Sequence, residues 1–244
     1  MLGSQFNEEI DSCLNGLIDA PGNHQRIAVF DADGTLWDGD ASEALLQWAE
    51  ARGYIAAPNG AGDVMTHYLK LVDADRANGF AWAAQVFQGC DVDRVSEWAE
   101  QCFQEQMIPR IFDEMAQLIA RFRSHGWQVW IVSASPRFAL LPGCKRLGVD
   151  PQRLLSVELK IQGGRYTDEL AGLVTSGFAK VTRLQQAMEH RPAFVAGNSI
   201  DDVPLLEQAT AAAMVVNPSD LHSPGNDLTL TAQRQEWMIH RTTV

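Results

Sequence analysis

Arg26-Ile27-Ala28-Val29-Phe30-Asp31-Ala32-Asp33-Gly34-Thr35 joins a short apolar run to two carboxylates and a glycine, and its reading decides the fold. Arg26–Phe30 has the length and the Ile, Val and Phe content of a buried strand. That strand delivers Asp31 and Asp33 at its carboxyl end, where Gly34 permits a sharp turn. Working outward, Gln128–Val132 is a second apolar run and leads into Ser133-Ala134-Ser135-Pro136. Leu154–Leu159 precedes a turn at Gly163-Gly164, Ala193–Ala196 delivers Gly197-Asn198-Ser199, and Ala213–Val216 closes the series. Helical spacing fills the intervals, notably Ile111–Arg123 and Phe178–His190. A further amphipathic helix, Phe6–Ile18, precedes the first strand and ends at Pro21-Gly22-Asn23. Strands alternating with helices predict an α/β fold with a parallel sheet wound on both faces. Ligands of such sheets bind beyond the carboxyl ends of the strands. The polar clusters fall there, after the first, second and fourth strands.

The segment from Ala41 to Ile108 breaks this rhythm. It is helical in pattern, has no convincing buried strand, and enters directly after the first polar cluster. It predicts an all-helical cap inserted into a core formed by residues 1–40 and 109–244. The insert is both acidic and aromatic, which is read as aromatics in the cap interior and acids in water. From Ser219 onward, with Pro224-Gly225-Asn226, the chain reads as a loop and a weakly patterned end.

Composition excludes several classes of function. Hydrophobic residues make up 46% and charged residues 20% of 244 residues, which is ordinary globular composition at a length that suits one large domain or a domain carrying a second lobe. No apolar run approaches the roughly 18 residues that span a bilayer. No basic stretch leads into an apolar segment near the N-terminus, so no secretory signal is expected. Cys13, Cys90, Cys102 and Cys144 form no CxxC pair, and reduced, buried thiols of a cytoplasmic protein are expected. The formal charge of −12 argues against nucleic acid and anionic membranes as partners. It would also repel a phosphate ester, so a phosphate site here must carry its own positive potential.

Two carboxylates one residue apart can divide the work of phosphoryl transfer. Asp31 or Asp33 can attack phosphorus while the other protonates the leaving oxygen and later activates water; alone, the pair could equally be a surface turn. Ser133 and the amides that follow, including that of Ala134, offer an anion site at a helix start, with Ser135 as cap and Pro136 in the first turn. Lys180 stands in a helix's first turn, against the helix dipole, where a bound anion would reverse the cost. Asn198, Asp201 and Asp202 offer oxygen ligands that suit Mg²⁺, although acids there also suit helix capping.

The order Asp31-x-Asp33-Gly34-Thr35, then Ser133, then Lys180, then Gly197-Asn198-Ser199-x-Asp201-Asp202 resembles the four motifs of the haloacid dehalogenase superfamily, from about Arg26 to Asn217. The resemblance implies Asp31 as nucleophile and Asp33 as general acid and base. It implies Ser133 and Lys180 as phosphate-binding residues. Mg²⁺ is implied on the Asp31 carboxylate, the Asp33 carbonyl oxygen and a residue of the last motif, Asn198 or Asp202. The insert, and Leu173–Lys180, look like the phosphoserine-phosphatase-like branch. Phosphorylcholine phosphatases look similar near Trp37, Asp40 and Glu43. Gly34, Thr35, Trp37, Asp40 and Ala134 are then expected around the substrate, a small phosphomonoester such as phosphoserine or phosphocholine. Asp40 could instead cap the helix beginning at Ala41, with Glu43 completing a capping box.

One residue departs from the pattern: the last motif usually begins Gly-Asp, and here it is Gly197-Asn198. The loss of one charge predicts weaker metal binding, or compensation by Asp201 or Asp202. It also keeps open a non-catalytic binding protein of the same superfamily. Asp33 argues against a dehalogenase, since those members lack the second aspartate. The large helical insert argues against a receiver domain. A phosphotransferase or phosphomutase would keep both aspartates.

Overall fold

A computed structural model of the chain describes residues 6–19, 25–218 and 227–242. The expected turn at Pro21-Gly22-Asn23 and the loop at Pro224-Gly225-Asn226 lie outside them. The strands are β1 (Ile27–Phe30), β2 (Gln128–Pro136), β3 (Leu154–Val157), β4 (Leu159–Gln162), β5 (Arg165–Leu170), β6 (Phe194–Gly197), β7 (Ala212–Val216) and β8 (Met238–His240). Six of them form a parallel sheet in the order β3-β2-β1-β6-β7-β8. The doubly wound α/β reading holds.

β1 shows why. Its four residues are all buried, and successive side chains point to opposite faces. Ala28 and Phe30 join one core cluster with Phe122 and Phe194, while Ile27 and Val29 join another with Leu184, Val195 and Leu205. A strand that is apolar on both faces needs a helical layer on each. Helices α1 (Glu8–Asp19) and α6 (Asp113–Ser124) supply one. The short α9 (Val203–Leu206) and α10 (Leu228–Arg234), with Leu184 of α8 (Phe178–Ala187), supply the other.

The stretch Leu154–Leu159, expected as one strand, divides. β3 stays in the main sheet to Val157, and Leu159 begins an antiparallel hairpin of β4 and β5. Gly163 and Gly164 turn that hairpin with φ of 59° and 77°, a pair of left-handed values that suits a primed two-residue turn.

Between β1 and β2 lie α2 (Ala41–Ala51), α3 (Val64–Ala74), α4 (Arg76–Gln85) and α5 (Val92–Cys102), followed by a π turn and a 3-10 turn to Arg110. Many of the aromatics are interior as expected: Trp48, Tyr68 and Phe87 are buried in a cluster of their own. The acids do more than face water. Asp40, Asp63, Asp75 and Asp91 each cap a helix by accepting a backbone N–H in its first turn. The hairpin β4–β5 docks on this layer, through Gly89 N–H to the Tyr166 carbonyl at 2.8 Å and the Gln85 amide to the Asp168 carbonyl at 2.8 Å. Val157 and Leu159 belong to the same apolar cluster. The helical layer thus completes its core with residues far downstream. Among the described residues no helix is long and apolar enough to cross a membrane. Of the four thiols expected to be buried, Cys102 and Cys144 are, but Cys90 is half-buried and Cys13 lies exposed on α1.

Candidate active site

The turn after β1 is built for close approach. Asp31 extends the strand pairing, its N–H reaching the Ala196 carbonyl at 2.9 Å. Gly34 then adopts φ of 76°. A Cβ there would fall 1.9 Å from Asn198 Nδ2, so only glycine lets this turn touch the turn after β6.

Asp31, Lys180 and Asp202 form a buried chain of charge. The Lys180 ammonium donates to Asp31 Oδ1 at 2.6 Å and to Asp202 Oδ1 at 2.6 Å. Exposure is 5%, 3% and 0% for Asp31, Lys180 and Asp202. Such charges persist out of water only when paired. Thr35 Oγ1 donates to the other Asp31 oxygen at 2.9 Å. Asp202 Oδ2 accepts from the Asn198 and Ser199 N–H groups at 3.1 and 3.0 Å and from Ser199 Oγ at 2.9 Å. Burial, then the Asp202 charge, pushes the Asp31 carboxyl up to about 7, against the pull of Lys180. Despite burial, Lys180 and the Ser199 donors hold Asp202 below the usual carboxylate range, and the two carboxylates raise Lys180.

Asp33 is held by four donors. Its Oδ1 accepts from Trp37 Nε1 and from the Ala41 N–H, both at 2.8 Å. Its Oδ2 accepts from Ser135 Oγ at 2.7 Å and, at the long limit of 3.4 Å, from Ser133 Oγ. Helix α7 (Arg137–Arg146) starts next to Ser135 with Pro136 at its cap position and no side-chain cap. Its first N–H groups are therefore available to an anion.

These groups border a cavity of about 330 Å³ between the sheet and the helical layer. Asp31, Asp33, Ser133, Ala134, Lys180 and Asn198 line it from the sheet side. Asp40, Glu43, Tyr68, Val72, Arg76 and Phe80 line it from the helices. Asp40 is the cap of α2, receiving the Glu43 N–H on Oδ1 at 2.9 Å, and it lines the cavity as well. Burial first, then the charge of Asp33, raises Asp40 well above the usual range and raises Glu43 too. Asp201 reaches across the mouth to Arg76 at 2.9 Å.

Four expectations change. Trp37 is fully buried, edge-on to Phe103 with ring centroids 5.3 Å apart, and holds Asp33 instead of facing a substrate. Thr35 is likewise buried and touches Asp31, and Gly34 faces a neighbouring cavity with Asn198 and Asn217. Asp202 accepts from Lys180 on one oxygen and from the Asn198 and Ser199 donors on the other. Ser135 does not cap α7 but anchors Asp33. Sequence reading missed Tyr68, Arg76 and Phe80, because nothing in a helical pattern says which face meets a distant site.

Residues 28–207 match the family described as haloacid dehalogenase-like hydrolase. The chain is 23% identical to a histidinol-phosphatase of Neisseria meningitidis, over 80% of this chain and 91% of that protein. It is 24% identical to a phosphorylcholine phosphatase of Pseudomonas aeruginosa, over 50% of this chain but only 44% of that protein. Among solved structures, a phosphoserine phosphatase in its apo form superposes with a TM-score of 0.58 at 13% identity, over 90% of this chain and 94% of that one. With the family match covering most of its length, the chain belongs to the haloacid dehalogenase-like hydrolases.

Proposed function

We propose that the chain is a Mg²⁺-dependent phosphatase that hydrolyses a small phosphomonoester through an aspartyl-phosphate at Asp31, the ester carrying a cationic head group. The observation that carries this reading is the buried Asp31–Lys180–Asp202 chain opening on a cavity whose rim holds Asp33. Relatives named for histidinol and phosphorylcholine support a nitrogen-bearing ester.

In the first step an Asp31 oxygen bonds to phosphorus, the ester P–O bond breaks, and Asp33 gives its proton to the departing alkoxide. In the second, water attacks the aspartyl-phosphate and Asp33 takes its proton, as the phosphorus–Asp31 bond breaks and phosphate leaves. Lys180 and Thr35 fix the attacking carboxylate. Ser133 and the free N–H groups of α7 bind phosphoryl oxygens. The helical insert 41–108 acts as the cap that carries head-group contacts.

Asp31, the Asp33 carbonyl oxygen and Asn198 form an all-oxygen donor set of the kind Mg²⁺ prefers. The Gly34–Asn198 approach supports that fit, since it brings the two turns into contact. Among the described residues no three acidic, His or Cys side chains gather as a metal site, so backbone and amide oxygens must complete the set. Mg²⁺ there would offset charge on the phosphoryl group. Asn198→Asp is expected to lower the Mg²⁺ concentration giving half-maximal rate by about tenfold, through the added charge. An unchanged metal dependence removes Asn198 from the set.

The function is tested by turnover of 4-nitrophenyl phosphate with Mg²⁺; no turnover across a metal and pH series favours the non-catalytic alternative. Asp33→Asn is expected to lower kcat by about 10²–10⁴-fold on alkyl phosphates and far less on this aryl ester, whose leaving group needs no proton. Equal losses on both would count against the acid role.

A further inference from the structure

Asp33 must give a proton and later take one, and its two oxygens are not equally fit for that work. Oδ1 accepts from Trp37 Nε1–H and from the Ala41 N–H, both at 2.8 Å. An indole and a backbone amide donate but cannot accept. A proton on Oδ1 would therefore face two hydrogens, and neither donor could turn to receive it. Oδ2 has different partners. Ser135 Oγ donates to it at 2.7 Å, and Ser133 Oγ lies at 3.4 Å. A hydroxyl both donates and accepts, so it suits either form of the carboxyl group.

Position agrees with this division. Asp33, Ser133 and Ser135 line the cavity that holds Asp31 and Lys180, whereas Trp37 and Ala41 do not. Trp37 and Ala41 are buried in the apolar core. Oδ1 is thus tied to the core and Oδ2 turns to the cavity. The two serines stand two apart at the end of β2, and both reach the same carboxylate oxygen. Their tasks differ. Ser133 Oγ accepts the Ser135 N–H at 3.1 Å, and its contact with Asp33 is long, which leaves its proton for a phosphoryl oxygen. Ser135 Oγ is committed to Asp33.

We propose that Ser135 is a positioning residue that makes Oδ2 the working oxygen of Asp33. In the first step the Oδ2–H bond breaks as its proton joins the leaving oxygen and the ester P–O bond opens. The Ser135 hydroxyl accepts from the acid before the transfer and rotates to donate to the carboxylate that remains. The reverse rotation accompanies the second step, when Oδ2 takes a proton from the attacking water. Turning a hydroxyl needs no backbone movement, so Asp33 changes role while the donors on Oδ1 hold it still. This inference rests on the phosphatase reading above and adds to it one residue and one atom.

The test measures kcat/KM, which reports the steps up to the aspartyl-phosphate, for the full chain with Mg²⁺ on benzyl phosphate and 4-nitrophenyl phosphate. Both esters carry a ring, but only the benzyl alkoxide needs a proton to depart. Ser135→Ala is expected to lower the benzyl value by about 10- to 100-fold, the scale of one hydrogen bond to a charged group. The nitrophenyl value should fall by a much smaller factor. Ser133→Ala, which removes a phosphoryl contact, should lower both esters by like factors. A general loss of packing would leave the ratio of the two esters in place. No loss on benzyl phosphate in Ser135→Ala, or equal losses on both esters, overturns the inference, while nitrophenyl turnover by the parent leaves the phosphatase reading standing. The same change of ratio in Ser133→Ala overturns the division between the serines. A parent that hydrolyses the nitrophenyl ester but not benzyl phosphate has no working acid, and that too overturns the inference. No turnover of either ester overturns both readings together.

Discussion

Asp31→Asn is expected to lower kcat by on the order of 10⁴-fold or more, with the fold retained. An amide cannot form the acyl-phosphate, and no second carboxylate can take over, because the Asp33 carboxylate is tied down by Trp37, Ala41 and Ser135. The fold should survive for a separate reason. Lys180 keeps Asp202 as its charged partner at 2.6 Å, the amide oxygen can still accept from Lys180, and the amide NH2 can donate to Thr35 Oγ1 in place of the bond that Thr35 now donates. Removing a carboxylate that burial disfavours also relieves a cost, so the melting temperature should match or exceed that of the parent. Steady-state kinetics and thermal denaturation on one preparation check both halves. Wild-type turnover by the purified variant would end the nucleophile assignment. A cooperative transition lost altogether would show that Asp31 is needed for folding.

What the sequence made legible were features set by local rules. β1 is unbroken and apolar on both faces, and the alternation of such strands with helical patterns predicted helical layers on each side. Each polar cluster sits at a strand's carboxyl end because the turn there must be polar or glycine-bearing. Gly163-Gly164 announced its hairpin turn, yet the two strands around it did not. β4 exposes three of its four residues, so it carries no buried run of its own. β8 is three residues long and packs His240 against Glu114 at 3.2 Å, 126 positions away. Neither leaves a periodic trace. The same distance rule governs the site. That Lys180 would be shared by Asp31 and Asp202 depends on contacts across 149 and 22 positions. Trp37 looked available because phosphorylcholine phosphatases look similar near it, and an aromatic face beside a carboxylate suits a cationic head group. Only the position of Phe103 shows the ring turned into the core. Ser135 followed by Pro136 has the pattern of a helix cap, but a carboxylate accepting from its hydroxyl at 2.7 Å takes precedence over the helix end.

Lys180→Met should destabilise the chain by about 3–5 kcal/mol, the scale seen when one partner of a buried ion pair is removed. The substitution keeps the length and apolar stem of the side chain, so packing changes little. What it removes is the cation between two carboxylates that are 5% and 0% exposed. For a chain of this size the melting temperature should fall by on the order of 10 °C at neutral pH, and turnover should fall as well, since Asp31 loses its anchor. The pH dependence separates charge from packing. In the parent, Lys180 holds Asp202 below its usual range, so that carboxylate contributes stability above its unfolded pKa, and the contribution is lost as pH falls through the folded value. In the variant, burial without a cation raises the folded value, so its stability is greatest below the unfolded pKa of about 4 and declines as pH rises. Both trends point the same way: the deficit is largest at neutral pH and narrows in acid. Adding Asp202→Asn to Lys180→Met should recover part of the loss, because it deletes one of the stranded charges. A deficit that stays constant from pH 4 to pH 8, with no recovery in the double variant, would mean that Lys180 contributes its methylenes and not its charge.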